Sequence, residues 1–216
     1  MESKFTVSEV LRASWAALKS QIWILAGLFV GYTILSSVFS LLLTPVMTSY
    51  TSIVIGDLIF SIISLVFILG YMKNLFQTLD GDEPQFSAYG QQARKIGTCF
   101  VAAVLYGFLV FIGTVLLIIP GVYLSLRLQF FLPLIVEEDA GIMDSLKKSW
   151  SMTENQVLPL FLLALAATGI FIIGTILFLV GLFVAFPFII LMQCYVFRKL
   201  NSPLHAIEEK QDLSDI

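Results

Sequence analysis

The chain has 216 residues, of which 58% are hydrophobic and only 12% charged, about half the charged share of an ordinary soluble domain. A mean hydropathy of +0.95 excludes a soluble globular domain, and the lack of any basic run or stripe excludes a nucleic-acid partner. The formal net charge of −3 tells less than the placement of the charges.

Residues 1–20 carry Glu2, Lys4, Glu9, Arg12 and Lys19 around an apolar stripe of Val7, Val10, Leu11, Ser14, Trp15 and Leu18. That spacing predicts an amphipathic helix, with Thr6 and Glu9 placed for a capping box. It does not read as a cleaved signal, because the apolar stretch after it is too long and lacks a small-residue cleavage site. Four stretches then hold no Asp, Glu, Lys or Arg: 22–56, 58–72, 96–126 and 157–197. A bilayer core needs roughly 20 apolar residues of helix, and residues 157–197 would make about 60 Å of it, enough for two crossings.

The stretches parse into pairs. Spans 22–43 and 53–76 are joined by the uncharged loop 44–52, with Pro45 as breaker. After the acidic loop Asp80-Gly81-Asp82-Glu83, which lacks EF-hand spacing, comes a weaker amphipathic segment, 86–95, with Phe86, Tyr89 and Ala93 on one side. Spans 96–119 and 122–136 are divided by Pro120-Gly121, the second of them short for a crossing. Segment 142–150 precedes the last pair, within which Gly181 is the expected turn and Pro187 the expected kink. Residues 201–216, with His205, read as a flexible acidic tail.

The expected fold class is therefore all-α: a polytopic membrane helix bundle of six transmembrane helices in three hairpins, each preceded by an amphipathic interfacial helix. Residues 1–200 form one transmembrane domain, in units of about 1–79, 80–139 and 140–200. Val7-Ser8-Glu9-Val10-Leu11-Arg12-Ala13-Ser14-Trp15 aligns with Ile142-Met143-Asp144-Ser145-Leu146-Lys147-Lys148-Ser149-Trp150, and the frame extends to Gln21 and Gln156. Internal repetition explains the match, with chance similarity in so biased a sequence as the alternative. With both termini cytoplasmic, all of the 12 Lys and Arg except Arg127 fall on the inner side, as the positive-inside rule requires.

Arg127 and Asp57 are the charges left within spans, at matching predicted depth on the outer halves. Either they pair or share a polar cavity, or Arg127 snorkels to the outer headgroups while Asp57 sits at the interface. Gln129, Gln193, Asn74 and Glu137-Glu138 add polar groups, the amides suited to interhelical hydrogen bonds. Gly27-xxx-Gly31 permits close helix approach, more simply within the chain than in a dimer. Cys99 and Cys194 lie apart in apolar sequence, without metal-ligand spacing. There is no GxSxG, HExxH or Gly-rich Lys-Ser/Thr loop, so no catalytic residue, metal or cofactor is expected and the chain does not read as an enzyme.

One stretch carries a family resemblance. Ile118-Ile119-Pro120-Gly121-Val122-Tyr123, Arg127, Pro133-Leu134-Ile135-Val136-Glu137-Glu138 and Asp144-Ser145-Leu146-Lys147-Lys148-Ser149-Trp150 follow one another in order. This resembles the bacterial integral-membrane proteins grouped with the membrane domain of glycerophosphodiester phosphodiesterases, including the YciC-like proteins. The resemblance implies a six-helix inner-membrane module and puts Arg127 and Glu137 in a shared motif. The phosphodiesterase activity of that family belongs to a separate soluble domain, so the resemblance does not extend to catalysis.

The reading that follows is a non-catalytic, multi-pass protein of the bacterial inner membrane that organises lipid or a membrane partner. Trp15, Trp150, Arg12, Lys147 and Lys148 would contact anionic lipid headgroups. A membrane-protein partner or a second copy of the chain stays open. The alternative is a small transporter or channel for an anionic or lipid-like substrate using Arg127.

Overall fold

The computed structural model describes residues 4–45 and 48–214, with side chains throughout except at 178–180 and 203–214. Among the described residues there is no strand. The order is α1 (Val7–Leu43), α2 (Tyr50–Asp80), α3 (Ser87–Gln92), a short 3-10 turn (Ala93–Lys95), α4 (Ile96–Leu116), α5 (Ile118–Leu128), α6 (Phe131–Glu138), α7 (Ile142–Met152), α8 (Val157–Ile176) and α9 (Phe178–Ser214). Six segments are long and apolar enough to cross a membrane: Val7–Leu43, Tyr50–Asp80, Ser87–Leu116, Ile118–Glu138, Val157–Ile176 and Gly181–Ser202. Large apolar side chains stand exposed along all of the first five, among them Leu41, Ile55, Phe111, Ile119 and Ile173. Water would not tolerate a belt of that extent, whereas hydrocarbon does. The chain is a multi-pass membrane protein.

Consecutive long helices pack side by side: α1 with α2, α4 with α5, α8 with α9. The tightly buried core lies at one end of the bundle. It is built from Val10, Leu18 and Leu25, from Leu69, Leu75 and Phe76, from Phe130 and Leu134, and from Leu191, Phe197 and Leu200. The same end gathers the ion pairs that join α1, α2, α6 and α9. The turns between paired helices lie at the opposite end.

Several boundaries differ from the sequence reading. Span two starts at Tyr50, not residue 53, because Ser49 forms a capping box with Ser52. At the other end of α1, Thr6 Oγ1 accepts from the Glu9 backbone N–H at 3.3 Å. The second turn falls at Leu117 (φ −163, ψ 145), before Pro120-Gly121. Pro120 sits in the first turn of α5, where its missing N–H costs nothing. Gly121 serves close approach instead: a Cβ there would lie 2.8 Å from the Thr114 Cα. Likewise α8 ends at Ile176 with Leu177 as its C-cap, and Gly181 packs against Gly174 rather than turning the chain. α9 is continuous through Pro187. Gly27 and Gly31 have nothing within 4 Å of where a Cβ would stand, so the chain uses neither for close packing. Residues 201–214, part of the tail expected to be flexible, continue α9 as helix; the side chains of 203–214 and all of 215–216 lie outside the described residues.

The aligned segments share more than sequence. Gln21 interrupts α1 with φ −130, ψ 20, and Gln156 precedes α8 with φ −113, ψ 7. Ser14 and Ser149 are both wholly buried, and Trp15 and Trp150 are 40% and 39% exposed.

Candidate functional site

The site grows from a break in the fourth span. Pro133 has no N–H to give the Gln129 carbonyl, and its ring crowds that carbonyl. The helix opens one turn earlier, at Phe130 (φ −91, ψ 7). In an apolar surrounding the freed groups must find partners within the protein. Ser149 on α7 supplies two of them. Its Oγ accepts the Phe130 backbone N–H at 3.1 Å and donates to the Arg127 carbonyl at 2.9 Å. The Thr153 hydroxyl is shared between the Arg127 carbonyl at 3.1 Å and the Ser149 carbonyl at 2.8 Å. On the other side, Gln193 Nε2 donates to the Gln129 carbonyl at 3.0 Å. The Gln129 side chain turns back to the Leu126 carbonyl, also at 3.0 Å.

This junction fixes Arg127. The residue is 5% exposed, and its guanidinium carbon lies 4.2 Å from the Trp150 ring centroid and 5.8 Å from that of Tyr123. A desolvated cation over an indole gains about 2 kcal/mol. The Arg127 Nε is buried without a hydrogen-bond partner. Among the described residues no ion pair joins Arg127 to Asp57 or to any other carboxylate. Asp57 is exposed and lines a cleft of about 860 Å³ with Ser36, Ser37, Ser40 and Thr44. Of the two arrangements the sequence left open, the pair does not form, and Arg127 does not snorkel outward either; indole and phenol rings cover it.

Glu137 anchors the charged end. It accepts from Lys73 at 2.8 Å and from Arg198 at 3.2 Å, and Arg198 also pairs with Asp80. Beside it, Glu138 meets Lys148 at 2.9 Å and accepts from Asn201. Lys95, nearly buried, reaches Asp139 at 2.7 Å and donates to the Val136 carbonyl at 2.7 Å, with Arg94 3.4 Å from Asp139. The hydrogen bond from Lys95, then the charges of Lys95 and Arg94, hold the Asp139 carboxyl below the usual carboxylate range. α2, the 3-10 turn before α4, α6, α7 and α9 are thus tied together by charge at one level.

The interfacial candidates separate into two sets. Arg12 and Lys147, equivalent in the aligned segments, are exposed and in no ion pair among the described residues. Trp15 packs edge-on against Phe188 at 5.5 Å with the Lys19 ammonium over its ring. Lys148 instead turns inward to Glu138, and Trp150 caps Arg127. α7 is therefore not a detached surface helix; it packs on α4, α5 and α6.

Sequence reasoning passed over Ser149, Thr153 and Tyr123 at the Arg127 junction, and Lys73, Lys95 and Arg198 at the charged end. The signal for Ser149 was present, since Ser14 and Ser149 occupy one position of the repeat frame. Among the described residues no His, Cys, Asp and Glu cluster is placed to hold a metal, and Cys99 and Cys194 are free and buried.

Residues 99–199 match the family described as the membrane domain of glycerophosphoryl diester phosphodiesterase. The family resemblance read from the Pro-Gly, Arg, acidic-pair and Ser-Trp elements is borne out. Uncharacterised proteins of Mycobacterium bovis and Mycobacterium tuberculosis are 28% identical over 132 residues, 61% of this chain and 40% of theirs. The match thus spans less than half the length of these relatives. No solved structure matches the chain.

Proposed function

We propose that the protein is a non-catalytic lipid-organising module of the bacterial inner membrane, built from three units of an amphipathic helix followed by a transmembrane hairpin. The carrying observation is the matched pair of exposed stripes at one end of the bundle: Ser8, Arg12, Trp15 and Lys19 on α1, and Met143, Lys147 and Trp150 on α7. Each sets unpaired cations one turn from a half-exposed indole, the combination that seats a helix among anionic headgroups. Each basic residue near an anionic surface contributes about 1 kcal/mol. The Gln21 and Gln156 breaks support the repeat, since both separate such a helix from the span after it. The Gly-Thr pairs Gly113-Thr114 and Gly174-Thr175, each just before a turn, add to it.

Both termini are assigned to the cytoplasm, because the cation-rich end would otherwise face outward against the positive-inside rule. The matched family description names a membrane domain, which favours binding over chemistry. The test is lipid retention by the purified full chain, read by native mass spectrometry from nanodiscs mixing phosphatidylglycerol with phosphatidylcholine. Wild type should retain phosphatidylglycerol preferentially, and Arg12→Gln/Lys147→Gln with Trp15→Ala should lose the preference. An unchanged lipid profile in that variant would remove the interfacial mechanism.

A further inference from the structure

We infer that Arg127, with Tyr123 and Trp150, forms a specific phosphate-binding site on the flank of the bundle between α5 and α7. The inference rests on the membrane reading above but not on the α1 surface stripe acting as a headgroup anchor. Three observations carry it. A guanidinium stays protonated under all cellular conditions, and this one sits in the middle of a candidate span, where a lone charge is costly. Its residue is 5% exposed, and its buried Nε has no hydrogen-bond partner in the protein. Neither Asp57 nor any other described carboxylate lies within ion-pair distance.

The protein nevertheless holds the group rigidly. Ser149 and Thr153 pin the Arg127 carbonyl from α7, so the backbone that carries the side chain is fixed to the helix that carries Trp150. The Trp150 ring lies 4.2 Å from the guanidinium carbon, and Tyr123 stands one helical turn before Arg127 on α5. With Trp150 and Tyr123 over the guanidinium, its N–H groups are what a ligand would engage. The guanidinium fork matches two oxygens of a phosphate bidentately, at about 2.7–2.9 Å. Tyr123 and Trp150 are 41% and 39% exposed, so the rings that wall the site lie on the outer flank of the bundle, the side from which a phospholipid approaches. Lys147, exposed one turn before Trp150 on α7, adds positive charge at the mouth. The ligand class is a phosphate mono- or diester; a lipid headgroup and a soluble phosphate share that chemistry.

The test uses the full chain in a phosphate-free maltoside detergent, titrated in three arms. These are short-chain phosphatidylglycerol, diacylglycerol of the same chain length, and inorganic phosphate. Tryptophan fluorescence of a Trp15→Phe/Trp23→Phe background reports on Trp150, and native mass spectrometry counts bound lipid. Phosphatidylglycerol should bind saturably and quench Trp150. Arg127→Gln should weaken it about tenfold or more, the loss of one charge-assisted hydrogen-bonded pair. Arg127→Lys, which keeps the charge but not the fork, should fall between, and it keeps the test open if Arg127→Gln fails to fold. Binding of inorganic phosphate with the same Arg127 dependence would assign the site to a soluble phosphate. Equal binding of diacylglycerol, or wild-type affinity in both Arg127 variants, would overturn the site. Loss of phosphatidylglycerol preference in Arg12→Gln/Lys19→Gln alone would leave the surface mechanism standing and the Arg127 site refuted; loss in the Arg127 variants alone would do the reverse.

Discussion

Replacing Ser149 with alanine isolates the chemistry that holds the broken span. The change removes about one hydroxyl's volume but severs two hydrogen bonds, to the Phe130 N–H at 3.1 Å and the Arg127 carbonyl at 2.9 Å. The carbonyl keeps Thr153 as a second donor, so its loss is partial, about 0.5–1 kcal/mol. The Phe130 N–H has no replacement. Buried in a membrane protein, an orphaned N–H costs about 1–3 kcal/mol. Ser149→Ala should therefore destabilise the fold by roughly 1.5–4 kcal/mol. Ser14 provides the control: it is equally buried at the equivalent repeat position, yet its hydroxyl has no hydrogen-bond partner. Ser14→Ala should be neutral or slightly stabilising. Reversible unfolding in mixed micelles of maltoside and dodecyl sulfate measures both. A Ser149→Ala effect within about 0.5 kcal/mol of wild type, or equal effects at the two serines, would refute the assigned role of the α5–α6 break.

Further expectations follow from the charged end and the turns. Thr153→Val should cost less than Ser149→Ala, and the double variant more than the sum, because the two hydroxyls share one carbonyl; a double-mutant cycle in the same micelles reads this. Asp139 is depressed in the folded state, so its contribution is present above the ordinary carboxylate range and disappears as pH falls through its lowered folded value. Asp139→Asn should thus reduce the melting temperature at pH 7 and not at the acid end of a pH series, modestly, as the carboxylate is 60% exposed. Gly121→Val should disrupt the contact with Thr114 and cost at least about 2 kcal/mol in unfolding, while Gly27→Ala, which meets open space, should be tolerated.

The parts of the fold that were legible in sequence are those written in charge and hydropathy. Uncharged stretches mark the crossings, since a charge placed in hydrocarbon is costly, most of all near the bilayer centre. Boundaries were less legible because they rest on local competition. Pro120-Gly121 carries the signature of a turn, yet proline is equally at home in a first helical turn, and the nearby packing of Gly113 on Gly121 decided between them. At the Arg127 site, the sequence exposed the stranded guanidinium but not its neighbours. Tyr123 follows from helical spacing, whereas Trp150 is distant in sequence and reaches Arg127 only because Ser149 replaces the hydrogen bonds lost at the break that Pro133 imposes. The ionic layer stayed hidden for a related reason. Lys73 and Arg198 read only as inner-side cations and Glu137 as a polar group of the spans, and only the packing of α2, α6 and α9 brings them to one level.

Sidedness is tested most directly by cysteine labelling in intact cells. Cys99 and Cys194 are buried and should give little background. Thr48→Cys lies in the exposed loop between α1 and α2, and Gln85→Cys in the exposed loop after α2, at opposite ends of that helix. A membrane-impermeant maleimide should label Thr48→Cys from outside and reach Gln85→Cys only after permeabilisation. The reverse pattern, or equal labelling of both in intact cells, would contradict a bundle whose cationic end faces the cytoplasm.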